Sequence, residues 1–94
     1  MQKHTQIYYD YFGLDECDTP ECEITGELAN DIHHIYPRGM GGRKTFTHDG
    51  VTYDINDINN LMALSRVAHV KAESKVYSRD WLWNVHQQYL EDYG

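Results

Sequence analysis

Three features of this sequence carry side chains suited to acid–base or metal chemistry. They are the adjacent pair His33-His34, the pair Asn59-Asn60, and His69 followed four positions later by Glu73. Histidine is the side chain whose ordinary pKa lies near neutrality, and neutral imidazole is a common ligand of transition metals. Hydrolysis of a phosphodiester needs a base to take a proton from water and a positive centre for the charge that builds on the phosphate and the leaving oxygen. A cation held by two or three side chains, with a free imidazole alongside, supplies both. On a helix His69 and Glu73 share one face and can reach a single ion. Taken singly, each residue is ordinary. An isolated His-His is commonly two strand residues on opposite faces, Asn60 suits a loop, and His69 and Glu73 suit a solvated helix face.

The elements that must position these residues can be read along the chain. Ninety-four residues allow one compact domain, whose eight Tyr and two Trp carry much of the burial. Residues 3–12 have helical spacing, with Ile7, Tyr8 and Tyr11 on one side and Gly13 as a stop. Residues 22–35 read as a hairpin turning at Gly26, its second strand running from about Ala29 to Ile35 until Pro37 ends it. A glycine-rich basic loop, RGMGGRK, follows. TFTHDGVTY is then a second hairpin around Asp49-Gly50, the sequence of a type I′ turn. A polar loop to Asn60 leads through an apolar LMAL into a helix capped by Ser65 and reaching about Tyr77. Ser78 caps a last helix with Leu82, Val85 and Tyr89 on a shared face and Trp81 beside it. The class is α+β, in the order helix, hairpin, inserted hairpin, helix, helix. His4 and His48 read as surface residues, His86 as packed or capping, and Trp81 and Trp83 as core or interface.

The net charge of −7 argues against tight non-specific binding to nucleic acid, but it is unevenly spread. Residues 1–31 carry eight acids and one Lys, whereas residues 32–77 carry six cations and four acids. No stretch approaches the roughly 20 apolar residues of a membrane span, and the first residues lack the apolar run of a signal peptide. A cytoplasmic protein with Cys17 and Cys22 reduced is therefore expected.

The stretch DIHHIYPRGMGG, followed by DINNLMALSRVAH, resembles the HNH endonuclease motif over residues about 22 to 73: a His pair before Pro and Gly-Gly, an Asn-Leu, then a helix bearing the last His. The resemblance implies a ββα-metal (His-Me finger) core within about 22–77, with an inserted hairpin and flanking N- and C-terminal helices, all in a single domain over 1–94. It implies His33 and His69 as metal ligands and His34 as general base. Asn60 is the residue that pins the loop and helps orient the base, and Glu73 is a candidate third ligand. Arg38, Arg43 and Lys44 are expected to contact phosphates. The implied activity is hydrolysis of DNA with one divalent ion, Mg²⁺ or Mn²⁺ (Ni²⁺ or Zn²⁺ being accepted by imidazole), giving 5′-phosphate and 3′-hydroxyl ends. The base must be unprotonated, so activity is expected to fall below about pH 6. Such proteins are common in phages and mobile elements, which implies a host cytoplasm as the setting. Where many relatives hold a structural zinc in two Cys-x-x-Cys pairs, this chain has Cys22, Thr25, Ser65 and Ala68, so no structural zinc is expected. The rival expectation is a retired nuclease fold acting as a binding module, its acidic N-terminal face engaging a basic protein partner.

Overall fold

The computed structural model describes all residues from Met1 to Gly94. Helix α1 (Lys3–Phe12) ends where Gly13 adopts a left-handed φ of 68° and donates its N–H to the carbonyls of the last turn. Its buried stripe is set by Tyr8 with Ile7 and Phe12, and the Tyr8 and Phe12 rings, four residues apart, pack on each other. Tyr11, expected on that side, is left exposed.

The first hairpin differs from expectation. Across the Gly26 turn only Glu21 and Leu28 form a bridge. Strand β1 (Asp31–His34) pairs instead with a distant segment that we label β4 (Leu61–Leu64), antiparallel, from Asp31 opposite Leu64 to His34 opposite Leu61. The LMAL segment, expected as an apolar lead into a helix, is thus itself a strand before that helix begins. The reason is two-sided burial: all four of its residues are fully enclosed. Leu61 and Ala63 face α1 beside Tyr8 and Ile32. Met62 and Leu64 face the opposite layer, with Cys22, Ala68, Leu82 and Trp83. A run that is apolar on both faces is what a strand between two layers requires.

Helix α2 (Arg66–Glu73) follows β4 at once, the Ser65 hydroxyl accepting from the Ala68 N–H; it stops short of Tyr77. The inserted hairpin comprises β2 (Thr45–His48) and β3 (Val51–Asp54) as a separate two-stranded sheet. Its turn residues Asp49 and Gly50 have φ of 48° and 79°, the positive values a type I′ turn demands. Helix α3 (Arg79–Tyr93), capped by Ser78, buries Leu82, Trp83 and His86, and of the expected face only Leu82 is fully enclosed. Trp83 fastens the inserted hairpin. Phe46 and Tyr53 meet its indole at ring-centroid distances of 5.8 and 5.5 Å, and the His48 ring stacks on it at 4.2 Å. His48 is therefore not a surface residue. Its Nδ1 bonds the Tyr36 hydroxyl at 2.8 Å and its side chain is 13 % exposed, because an aromatic face from a remote helix covers the hairpin. Trp81, by contrast, is exposed and stacks on Tyr77.

A buried polar knot joins the layers. The carboxylate of Glu23, wholly enclosed, sits 2.6 Å from His86 Nδ1 and accepts from the Tyr8 hydroxyl at 2.7 Å and the Ala63 N–H at 3.2 Å. His86 Nε2 donates to the Ile58 carbonyl at 2.7 Å. Burial and the Glu23 carboxylate push the Tyr8 phenol far up, so it remains a donor. Nearby, Cys22 meets the Thr25 hydroxyl and the Ser65 backbone, so the four positions compared with zinc ligands do lie together, with one thiol among them. Burial pushes that thiol up, and the hydrogen bonds from Thr25, Ser65 and Ile24 outweigh it and bring it down. The whole is an α+β fold of three helices and two small antiparallel sheets, and no helix is long and apolar enough to cross a membrane.

Candidate active site

β1 is one strand of a two-stranded sheet, so one of its edges is unpaired. Side chains alternate along it. Asp31 and His33 face α2, while Ile32 and His34 face α1. The ladder continues without a bulge until Ile35 N–H donates to the Asn60 carbonyl at 3.0 Å. The histidines therefore stand on opposite faces, as a regular strand dictates. Both nonetheless border one cleft of about 540 Å³ at the open edge, together with Glu73, Lys75 and Arg79.

On the α2 face the rings of His33 and His69 meet edge to face at 4.9 Å. His69 is bracketed by carboxylates: Asp31 Oδ2 lies 3.0 Å from Nδ1 and Glu73 Oε1 lies 3.0 Å from Nε2. A neutral imidazole has one N–H to give. The second carboxylate is satisfied only by a second proton or by a cation lying between Nε2 and the Glu73 oxygen. Two donors each about 2.1 Å from a shared ion stand roughly 3 Å apart, so the His69–Glu73 spacing fits a divalent ion, with Asp31 holding the far side of the ring in the manner of a carboxylate that orients a ligand. His33 packs beside this pair, but no three His, Cys, Asp or Glu side chains are already arranged around one point as a metal shell. Asp31 does not stand out in the sequence. Its only signal there is the two-residue strand period that puts it on the face of His33.

His33 is held neutral. Burial above all, then the neighbouring His69 and His34, push it down from 6.5 to about 4, with Asp31 opposing. Between those values the unfolded chain binds a proton that the folded chain refuses. This contribution to stability is therefore complete above pH 6.5 and is lost as pH falls toward 4, on the order of 3 kcal/mol in all. Urea unfolding in EDTA at pH 7 and pH 4.5 should show it. His33→Gln should lose that part of the pH slope, and identical slopes would remove His33 as its source.

On the α1 face His34 Nε2 meets Asn56 Oδ1 at 2.8 Å. A carbonyl oxygen accepts, so Nε2 carries the hydrogen and Nδ1 keeps its lone pair. The ring of His4 packs against that of His34 at 4.5 Å. His4 is thus half-buried at the site and not a free surface residue. Burial, then His34 and Arg38, lower its pKa, with a bond to the Ile32 backbone opposing. Asn60, expected to steady the base, acts one step away. Fully buried, it accepts from Tyr36 N–H at 2.7 Å and donates to the Tyr36 and Ile55 carbonyls at 3.0 and 2.9 Å. It pins the chain on either side of the inserted hairpin, while the direct partner of His34 is Asn56. No sequence signal separates Asn56 from the other polar residues of its loop.

Arg38, Arg43 and Lys44 line a second cleft of about 690 Å³ with Lys3, His4 and Asn56. The Arg79 guanidinium lies 4.5 Å over the Tyr36 ring, at the cleft that holds His33 and His34. The site thus offers an imidazole with one unbonded nitrogen, a His–carboxylate pair 3.0 Å apart and flanking cations. No protein-family profile, curated protein or solved structure matches the chain.

Proposed function

We propose that the protein is a metal-dependent DNA endonuclease, with β1, β4 and α2 forming a ββα-metal unit. The observation that carries this proposal is the convergence of His33 with His69 and Glu73, side chains from distant stretches of chain, next to a His34 ring whose Nδ1 is unbonded. His69 and Glu73 would hold the ion, with His33 beside them. A bound divalent ion, Mg²⁺ or Mn²⁺ with Ni²⁺ or Zn²⁺ accepted by imidazole, supplies positive charge to the scissile phosphate and the departing 3′-oxygen. His34 Nδ1 takes a proton from water while Asn56 fixes the tautomer through Nε2. The hydroxide formed attacks phosphorus in line, and the P–O3′ bond breaks with its electron pair going to the 3′-oxygen. That oxygen takes a proton from solvent water, leaving a 5′-phosphate and a 3′-hydroxyl while His34 returns its proton to solvent. Asp31 keeps the His69 ring turned toward Glu73. No structural zinc has a place in this proposal, since the Cys22 corner offers one thiol.

The test is nicking of supercoiled plasmid in Mn²⁺ and in EDTA, with Mn²⁺ titrated calorimetrically. Wild type should nick only with the ion, and His69→Ala should lose tenfold or more in both Mn²⁺ affinity and rate. A wild type that neither binds Mn²⁺ nor nicks would overturn the proposal and return the acidic binding module in its place.

A further inference from the structure

The chain is acidic overall, yet six of its eight Lys and Arg residues line two clefts that meet at His34. The first lies between the start of α1 and the glycine-rich loop and carries Lys3, Arg38, Arg43 and Lys44. The second lies between the end of β1 and the start of α3 and carries Lys75 and Arg79. One carboxylate residue borders each, Asp54 and Glu73 respectively; the other thirteen acids lie elsewhere, as do Arg66 and Lys71. Contacts of His34 link the two clefts. His34 borders the second, while its ring touches His4 and Asn56 of the first. Pro37 borders the second and the adjoining Arg38 the first.

We infer that α1 and α3, the helices outside the strand–strand–helix unit, form the two walls of one track that holds a DNA strand across His34, with backbone phosphates bound on both sides of it. This deepens the nuclease proposal and rests on it for the identity of the strand. A mononucleotide or a chain end would use cations on one side of the histidine only. Cations on both sides fit an internal phosphodiester whose chain continues in each direction. Confining positive charge to the track, within an otherwise repelling surface, also aligns the strand on it. The assignment adds Lys3, Lys75 and Arg79 as phosphate-positioning residues and gives α1 a role in substrate binding.

The experiment measures binding of a fluorescein-labelled 20-mer, as duplex and as single strand, by anisotropy in EDTA, where neither metal nor hydrolysis takes part. Three paired variants are compared: Arg43→Gln with Lys44→Gln, Lys75→Gln with Arg79→Gln, and Arg66→Gln with Lys71→Gln outside the track. Each cleft pair should weaken binding about tenfold near 0.1 M salt and flatten the plot of log affinity against log salt by about 0.9 for each phosphate no longer neutralised. The outside pair should match wild type. Urea unfolding of each pair should match wild type, excluding a folding defect. Weakening confined to one cleft, equal weakening in the outside pair, or displacement by heparin at equal charge concentration would overturn the track. Failure of the two proposals is distinguishable. DNA bound through both clefts without Mn²⁺-dependent nicking sinks the nuclease alone, and nicking that survives in both cleft pairs with unchanged affinity sinks the track alone.

Discussion

His34→Ala is expected to nick plasmid about 10²–10⁴-fold more slowly than wild type at saturating Mn²⁺, the range for loss of a positioned general base, with Mn²⁺ affinity unchanged. The separation of rate from affinity follows from the strand. His34 faces α1, whereas His33, His69 and Glu73 gather on the α2 face. The substitution also leaves the core intact, because His34 packs on His4 at the margin of the α1 layer and is only half-buried. Asn56→Ala should lie between the two proteins, slowed roughly tenfold, since it removes the group that fixes the tautomer and not the base itself. Equal rates for His34→Ala and wild type would remove His34 from the chemistry.

His86→Ala is expected to destabilise the fold by about 3–5 kcal/mol, the range for stranding one member of a buried pair. For a domain of this length that is a large part of the whole. The lost imidazole leaves the Glu23 carboxylate enclosed among Tyr8, Ala63 and apolar neighbours without its ring partner, and it orphans the Ile58 carbonyl. Glu23→Ala should cost a similar amount for the mirror reason. The double variant should cost less than the sum of the two, because each single change already isolates the other group. Urea denaturation of the four proteins measures this, and additive losses would show that the pair is not coupled. The knot ties α1, β4, α3 and the loop at Glu23 to one another.

Features that depend on neighbouring residues were legible in the sequence. Gly13 after an apolar stripe, Asp49-Gly50 between β-prone runs, and Ser65 and Ser78 before helices each fix a local backbone conformation with few alternatives, and each is found as expected. The pairing of β1 was not legible. Gly26 offered a nearby turn, while the actual partner lies beyond an entire inserted hairpin, and a short apolar run such as LMAL does not by itself distinguish strand from helix. The same distance hid His48, whose cover is Trp83, and the Glu23–His86 pair, since a Glu beside a turn looks solvated until a helix from the far end of the chain closes over it. At the candidate site, the meeting of His69 with Glu73 was readable from the four-residue spacing on a helix. Asp31, which meets His69, and Asn56, which meets His34, were visible only once the strands were paired.

The long separation between β1 and β4 has a consequence for maturation. The inserted hairpin is local and can close within microseconds, whereas the strand pair must first bring together chain segments flanking it, a slower closure that costs more entropy. The His69–Glu73 pair and the His34 ring come from opposite sides of that closure. A chain still emerging from the ribosome carries His34 before it carries His69 and Glu73, and the candidate site is assembled in a single late step, when the helix bearing that pair docks.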